Sequence, residues 1–212
     1  MQGHILGVLA GQDLPQNLLE SWARRADVLV AADGAAHRLI GLGLRPVVVG
    51  DLDSLDRSDP GLADLVVVED GDPYRTDCDK LLAWVAAQGG VQLDLVGVEG
   101  DRLDHTLSTL MSVLRSPLKV RLRTRTADAW IVRPGEHHSV GAHPGATVSL
   151  LPLEPSIGVS LRGVEWPLEQ VELSPRGWLS ISNRATASRV EASVDQGAAL
   201  FYVERTLPEG SL

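Results

Sequence analysis

Three consecutive valines, Val47 to Val49, stand between Pro46 and Gly50 and run straight into Asp51 and Asp53. A short, wholly apolar, β-branched run bounded by turn formers reads as a strand buried in a parallel sheet. Such a strand needs covering elements on both faces, which restricts the chain to layered α/β architectures. With Asp51-Leu52-Asp53 read as extended chain, the two carboxylates point to the same side. At ~7 Å and an effective dielectric near 20 they would repel by roughly 2 kcal/mol. A cation removes that penalty, and an all-oxygen donor set without neighbouring Cys or His suits Mg²⁺ rather than zinc. The other reading of these acids is a helix N-cap or an Asx turn leaving the strand.

The same grammar recurs along the first 133 residues. Ile5–Ala10, Asp27–Ala32, Leu65–Val68 and Leu93–Val98 read as further strands. Between them, Leu14–Arg25 reads as a helix with Leu18, Leu19 and Trp22 on one face, and a second helix follows Asp33-Gly34. Thr76 followed by Asp79 resembles a capping box with Asp in the place of Glu or Gln. That helix would present Leu81, Leu82 and Val85 and stop at Gly89-Gly90. GDRLDHTLSTLMSVLRSP opens another, with Leu103, Leu107, Leu110, Met111 and Leu114 as its expected apolar face and Pro117 as its end. Strand, acidic turn, helix is the pattern of a parallel sheet, and its ligands sit at the carboxyl ends of the strands. Asp33, Asp51, Asp53, Asp77 and Asp104 all follow strands. Five acids at one rim point to a metal–phosphate site.

From Pro134 onward the texture changes to short alternating segments broken by Gly and Pro, among them VSLLPL, GWLSISN, RVEASV and AALFYVE. These read as strands of a small sandwich or barrel. The expected architecture is an α/β domain over residues 1–133 and an all-β sandwich or barrel domain over residues 134–212.

Composition narrows the partners. The 212-residue chain carries a net charge of −9 without a basic cluster, which argues against nucleic acid and anionic membranes. No stretch is long and apolar enough to span a bilayer, and MQGHILGVLAG lacks the basic region and apolar run of a signal peptide. One cysteine, Cys78, excludes an intrachain disulfide framework and fits a reducing, cytoplasmic setting. Cys78 falls in a helical first turn with no Cys or His beside it in sequence, so it reads as a packed small side chain. His137, His138 and His143 match no standard metal spacing. Gly100 precedes a helix start, where backbone N–H groups favour an anion and Arg102 adds charge; Asp101 and Asp104 there equally complement the helix dipole. Trp166, followed by Pro167 near a strand end, reads as core or as a ligand-stacking surface.

Taken together these segments resemble the thiamine pyrophosphokinase family, in order and over nearly the whole chain. ADGAAHRL is similar to the family's ADGGANxL, PVVVGDLDS to PxxIxGDFDS, TDCDKLL to TDFEKAL and GDRLDH to GGRLDH. In the second half GVEWPL and SISN are similar to GLxWxL and TSN. The resemblance implies a nucleotide- and metal-binding catalytic domain followed by a thiamine-binding β-sandwich, acting as a homodimer with shared active sites. It implies transfer of a diphosphoryl group from ATP, as co-substrate, to the hydroxyl of thiamine, with release of AMP. Carried over by position, Asp51, Asp53 and Asp77 would hold Mg²⁺. Asp53, Asp77 and Arg102 would be catalytic. Asp33, Gly34, Asp51, Thr76, Gly100, Arg102 and Asp104 would meet the nucleotide. Trp166, Ser182 and Asn183 would receive thiamine. Pro73 and Tyr74 replace a polar pair, Asp101 replaces a glycine, and His37 replaces the asparagine of ADGGAN. A hydroxymethylpterin diphosphokinase and a silent nucleotide-binding regulator are the alternative readings. Thiamine-dependent turnover of ATP to AMP separates them.

Overall fold

In the computed structural model, residues 3–11, 14–100 and 102–206 are described. The chain divides into two compact units, Met1–Arg125 and Thr126–Leu212. The division falls eight residues before the expected boundary after Arg133. The intervening run Ala127–Val132 forms a strand that pairs residue for residue with Ala199–Glu204, so its hydrogen bonds belong to the second unit.

The first unit is an α/β sheet. Its elements in order are β1 (Ile5–Val8), α1 (Gln16–Ala23), β2 (Val28–Ala32), α2 (Asp33–Gly41), β3 (Val47–Gly50), a 3-10 turn (Pro60–Leu62), β4 (Val67–Glu69), α3 (Asp77–Ala87), β5 (Gln92–Val96), α4 (Leu103–Arg115) and β6 (Lys119–Arg123). The strands lie in the order β6-β5-β1-β2-β3-β4, and every pairing among them is parallel. The chain adds strands on one side of β1 through β4, then returns to add β5 and β6 on the other. The switch point is therefore between β1 and β5, and a crevice opens at their carboxyl ends. The β1 and β2 residues Leu6, Val8 and Ala31 pack with Leu19 and Trp22 of α1 and Leu39 of α2.

Helix α3 begins as the sequence predicts. The Thr76 hydroxyl accepts from the Asp79 N–H at 3.1 Å, and the Asp79 carboxylate accepts from the Thr76 N–H at 3.1 Å. Helix α4 differs from expectation. Leu103, Leu107 and Met111 are exposed, Leu110 and Leu114 are half-buried, and the buried residues are Thr109, Ser112 and Val113. The small polar side chains allow close approach to α3, where the Ser112 Oγ lies 3.2 Å from the Thr76 Oγ1. The leucine stripe is left on the outside.

The second unit holds β7 (Ala127–Val132), β8 (His137–Gly141), β9 (Thr147–Pro152), β10 (Ser156–Arg162), β11 (Leu168–Leu173), β12 (Ser180–Arg184), β13 (Arg189–Ser193) and β14 (Ala199–Glu204). Two antiparallel layers form, β12-β9-β14-β7 and β11-β10-β13-β8. Alternate residues of both enter one core, including Val148, Leu150, Phe201 and Val203 from the first layer and Val159, Leu161, Val190 and Ala192 from the second. This is the expected β-sandwich. Among the described residues no helix is long and apolar enough to cross a membrane.

Candidate active site

The crevice at the switch point is a cavity of about 660 Å³. Its floor is backbone. Leu9, Ala10 and Gly11 leave β1, and Gly97, Val98, Glu99 and Gly100 leave β5. The Gly11 N–H donates to the Gly97 carbonyl at 3.1 Å, and a Cβ at Gly11 would lie 2.1 Å from the Glu99 carbonyl oxygen. Only glycine fits there, and Gly97 itself has φ +71. The walls are Gly34, Ser54, Thr76, Asp77, Arg102 and His105. Helix α4 opens at this cavity, and among the described residues its N-cap makes no side-chain cap, so its N-terminus presents amides towards the cavity.

Beside the cavity lies an acidic cluster. One carboxylate oxygen from each of Asp33, Asp51 and Asp53 falls within 4.8 Å of the others. The path to this arrangement is not the extended chain that the sequence suggests. Strand β3 ends at Gly50, and Leu52 takes a left-handed conformation with φ 66. A leucine is strained there. The strain is compensated twice: the Leu52 side chain is buried against Ala36 and Val48, and its N–H donates to Asp33 Oδ2 at 2.8 Å. The turn folds Asp53 back, so its N–H lies 3.4 Å from Asp51 Oδ1. Gly50 is obligatory beneath it, since a Cβ would lie 2.6 Å from the Asp33 carboxyl carbon.

Electrostatics mark the same residues. Asp33 is 1% exposed, and burial pushes its carboxyl above the ordinary range, with the Asp51 and Asp53 charges adding to the shift against amide hydrogen bonds. Burial likewise raises Asp77, reinforced by Asp33. Lys80, which sequence reasoning assigned no role, answers them. Its side chain is 1% exposed, and Nζ lies 2.6 Å from Asp51 Oδ2 and 3.6 Å from Asp77 Oδ1. Burial opposes the ammonium, but the hydrogen bond to Asp51 and the two aspartate charges hold its pKa above the usual lysine value. The same hydrogen bond lowers Asp51. A lysine among Cys78, Leu81, Leu82 and Val85, all buried, and one turn after Asp77, is the signal that could have found it.

The other expected residues divide. Gly34, Thr76, Gly100 and Arg102 line the cavity, although the Thr76 hydroxyl is engaged in the cap. Asp77 stands across Lys80 from Asp51 and is not one of the close triad. Asp104 is exposed and pairs with Arg102 at 2.6 Å, away from the acidic cluster. Asp101 lies outside the described residues. Cys78 is buried, which pushes its thiol up to about 12 and makes it unreactive. Among the described residues, His137, His138 and His143 join no group of potential metal ligands.

In the β-sandwich Trp166 is 58% exposed, so it is not core. Ser182 is exposed at φ 57, with its N–H on Ser149 Oγ at 3.1 Å. Asn183 is different: it is 2% exposed and grips the backbone of Trp166. Its Oδ1 accepts from the Trp166 N–H at 3.1 Å and its Nδ2 donates to the Trp166 carbonyl at 2.7 Å. Asn183 orients the indole-bearing segment, while Trp166 and Ser182 face solvent.

Known proteins place the chain in a family. The profile of the catalytic domain of thiamin pyrophosphokinase matches residues 19–125, and that of the family's vitamin B1 binding domain matches residues 136–198. The chain belongs to the thiamin pyrophosphokinase family. Membership makes it an ATP-dependent diphosphotransferase with thiamine as acceptor. Thiamine pyrophosphokinase of Bacillus subtilis is 24% identical over 204 residues, 91% of this chain and 94% of its own length. Thiamine pyrophosphokinase 1 of Arabidopsis thaliana is 26% identical, over 89% and 82%. The crystal structure of the Bacillus subtilis thiamin pyrophosphokinase superposes with a TM-score of 0.81 at 22% identity, covering 96% of this chain and all of that one. Yeast thiamin pyrophosphokinase gives 0.74 at 17% identity, over 97% and 87%. These likenesses show that both halves share the family's fold.

Proposed function

We propose that ATP lies in the cavity between β1 and β5, its triphosphate between the α4 N-terminus and the Asp51–Asp53 turn. The observation that carries this reading is the juxtaposition of a glycine-walled crevice at the sheet's switch point with a carboxylate cluster at its side. The donor set suits Mg²⁺: all oxygen, mutually repelling, and without Cys or His among the clustered groups. Asp51, Asp53 and Asp77 are the ligands in this proposal, and Asp33 holds the turn through the Leu52 amide. Mg²⁺ bound there would supply charge neutralisation for the triphosphate and the departing AMP.

The chain's own residues supply the rest. Lys80 favours the charged form of Asp51, opposes the upward shift that burial gives Asp77, and holds the two carboxylates together. The α4 amides and Arg102 face the phosphates. Thiamine stacks on Trp166, whose indole attracts a cationic ring by ~0.5–2 kcal/mol, and Ser182 stands beside it on the sandwich surface. The thiamine hydroxyl attacks the β-phosphorus of ATP, a new O–P bond forms, the α–β bridge breaks, and AMP leaves. An aspartate of the rim or water takes the hydroxyl proton.

The reaction takes place in a cytoplasmic homodimer in which the sandwich of one protomer serves the α/β unit of its partner. Two exposed apolar surfaces support this assembly: Leu103, Leu107 and Met111 on α4, and Trp166, Trp178, Leu179 and Ile181 in the sandwich. The decisive assay is AMP release from ATP with Mg²⁺, with and without thiamine. Thiamine-dependent AMP is expected. AMP that depends on a hydroxymethylpterin instead, or no turnover at all, overturns the reading.

A further inference from the structure

We propose that His37 is a positioning residue for the metal-bearing turn, an inference that rests on the proposed role of Asp51 and Asp53. His37 sits on α2, one residue after Ala36, against which Leu52 and Leu55 are packed. Both its ring nitrogens are engaged with the segment downstream of Asp53. Nε2 lies 2.9 Å from the Asp56 backbone nitrogen, and that N–H can only donate. Nε2 is therefore the acceptor, and Nδ1 carries the proton. Nδ1 then donates to Asp59 Oδ2 at 2.9 Å. The other oxygen of Asp59 accepts the Gly61 N–H at 2.7 Å and caps the 3-10 turn. One neutral imidazole thus ties two points of the loop, three residues apart, to a helix that starts at Asp33.

The consequence is a turn clamped from both ends. Upstream of Asp53, Asp33 holds the Leu52 amide. Downstream, His37 holds Asp56 and Asp59. Between the clamps Asp53 and Ser54 are exposed, and the Asp53 carboxylate meets the Ser54 hydroxyl at 3.0 Å and the Asp51 carboxyl. Both partners belong to the same turn, so the position of Asp53 depends on the backbone that carries them. A side chain that fixes a ligand's backbone acts on metal affinity without touching the metal. Neither an asparagine nor a glutamine reproduces both bonds: the asparagine amide reaches only the Nδ1 position, and the glutamine amide only the Nε2 position.

The test is Mn²⁺ binding to the whole enzyme without ATP, read from the electron paramagnetic resonance signal of free Mn²⁺. Steady-state kinetics over Mg²⁺ and thiamine are measured beside it. His37→Ala is expected to weaken Mn²⁺ binding and raise the half-saturating Mg²⁺ by about tenfold. Its kcat at saturating Mg²⁺ and its KM for thiamine should stay within about twofold of the parent, as for lost ligand positioning. His37→Gln, which keeps an acceptor for the Asp56 amide, should recover most of the affinity, and His37→Asn should recover less. If His37→Ala does not fold, the Gln and Asn variants decide by their order. Affinity within about threefold of the parent in a folded His37→Ala overturns the proposal. So does a loss of kcat without a shift in metal dependence. Unaltered Mn²⁺ binding in Asp53→Asn would instead remove the metal assignment itself. Loss in Asp53→Asn with retention in His37→Ala removes only the role of His37.

Discussion

Lys80→Met tests the charge balance of the site directly. Methionine keeps the apolar stem and removes the ammonium. At an effective dielectric near 20, the 2.6 Å contact with Asp51 is an attraction of about 6 kcal/mol and the 3.6 Å contact with Asp77 about 5 kcal/mol. Both are upper bounds. The aspartate side chains are 38% and 43% exposed, so water screens each pair, and burying the ammonium itself costs several kcal/mol. The net loss expected for the metal-free protein is about 2–3 kcal/mol. For a chain of this size that lowers the melting temperature by about 5–10 °C. A divalent cation in the same cluster takes over part of the neutralisation. Melting followed by circular dichroism in EDTA and in saturating Mg²⁺ should therefore show the gap between parent and variant shrinking by half or more when metal is added. Equal melting temperatures in EDTA would show that the lysine contributes nothing net. A gap that Mg²⁺ leaves unchanged would show that no cation enters this cluster.

Two further outcomes are expected. Asp94, buried in β5, meets Arg121, Arg123 and His4; burial opposes its charge, but these hydrogen bonds and charges hold its carboxyl below the ordinary range. Its stabilisation is therefore complete above the unfolded carboxylate pKa and lost as pH falls through the lower folded value; Asp94→Asn should cost about 3 kcal/mol at pH 7 and flatten that acid limb of stability. If the proposed dimer shares its sites, Asp53→Asn and Trp166→Ala, each inactive alone, should on subunit exchange recover about a quarter of parent activity, because half the dimers would be mixed and each would have one intact site; no recovery despite exchange refutes sharing.

What the sequence made legible was local. Val47 to Gly50 form the strand that their composition predicts, and Thr76 with Asp79 forms the cap. Both depend on neighbours within a few residues. The α4 stripe of Leu103, Leu107 and Met111 reads as inward but lies exposed, because periodicity detects an apolar face and not which face is covered. The covered face carries Thr109 and Ser112, whose small size suits close contact with α3. Lys80 is hidden for a similar reason. A lysine reads as solvent-facing, and only the burial of Cys78, Leu81 and Leu82 around it places it inside. The residue type marks Asn183 as a polar candidate but does not give its direction. Its inward turn follows from a register shift between Ser180 and Asn183 and the positive φ of Ser182, and neither has a residue signature here.

The charges of the first unit also bear on the form in which the nucleotide binds. Only two Lys or Arg side chains line the cavity among the described residues, Arg75 and Arg102. Each already carries a carboxylate, Asp70 at 2.8 Å and Asp104 at 2.6 Å. Lys80 is committed to Asp51. A triphosphate arriving alone would therefore meet Asp33, Asp51, Asp53 and Asp77 with no uncommitted basic side chain of that kind to offset them, in a chain whose net charge is already −9. Repulsion of that sort grows as water leaves a closing site. Under the proposed function the aspartates and the triphosphate are compatible only when they share divalent metal. The acidic rim then acts as a filter: it discriminates against free ATP and favours the nucleotide that brings its counter-ion with it.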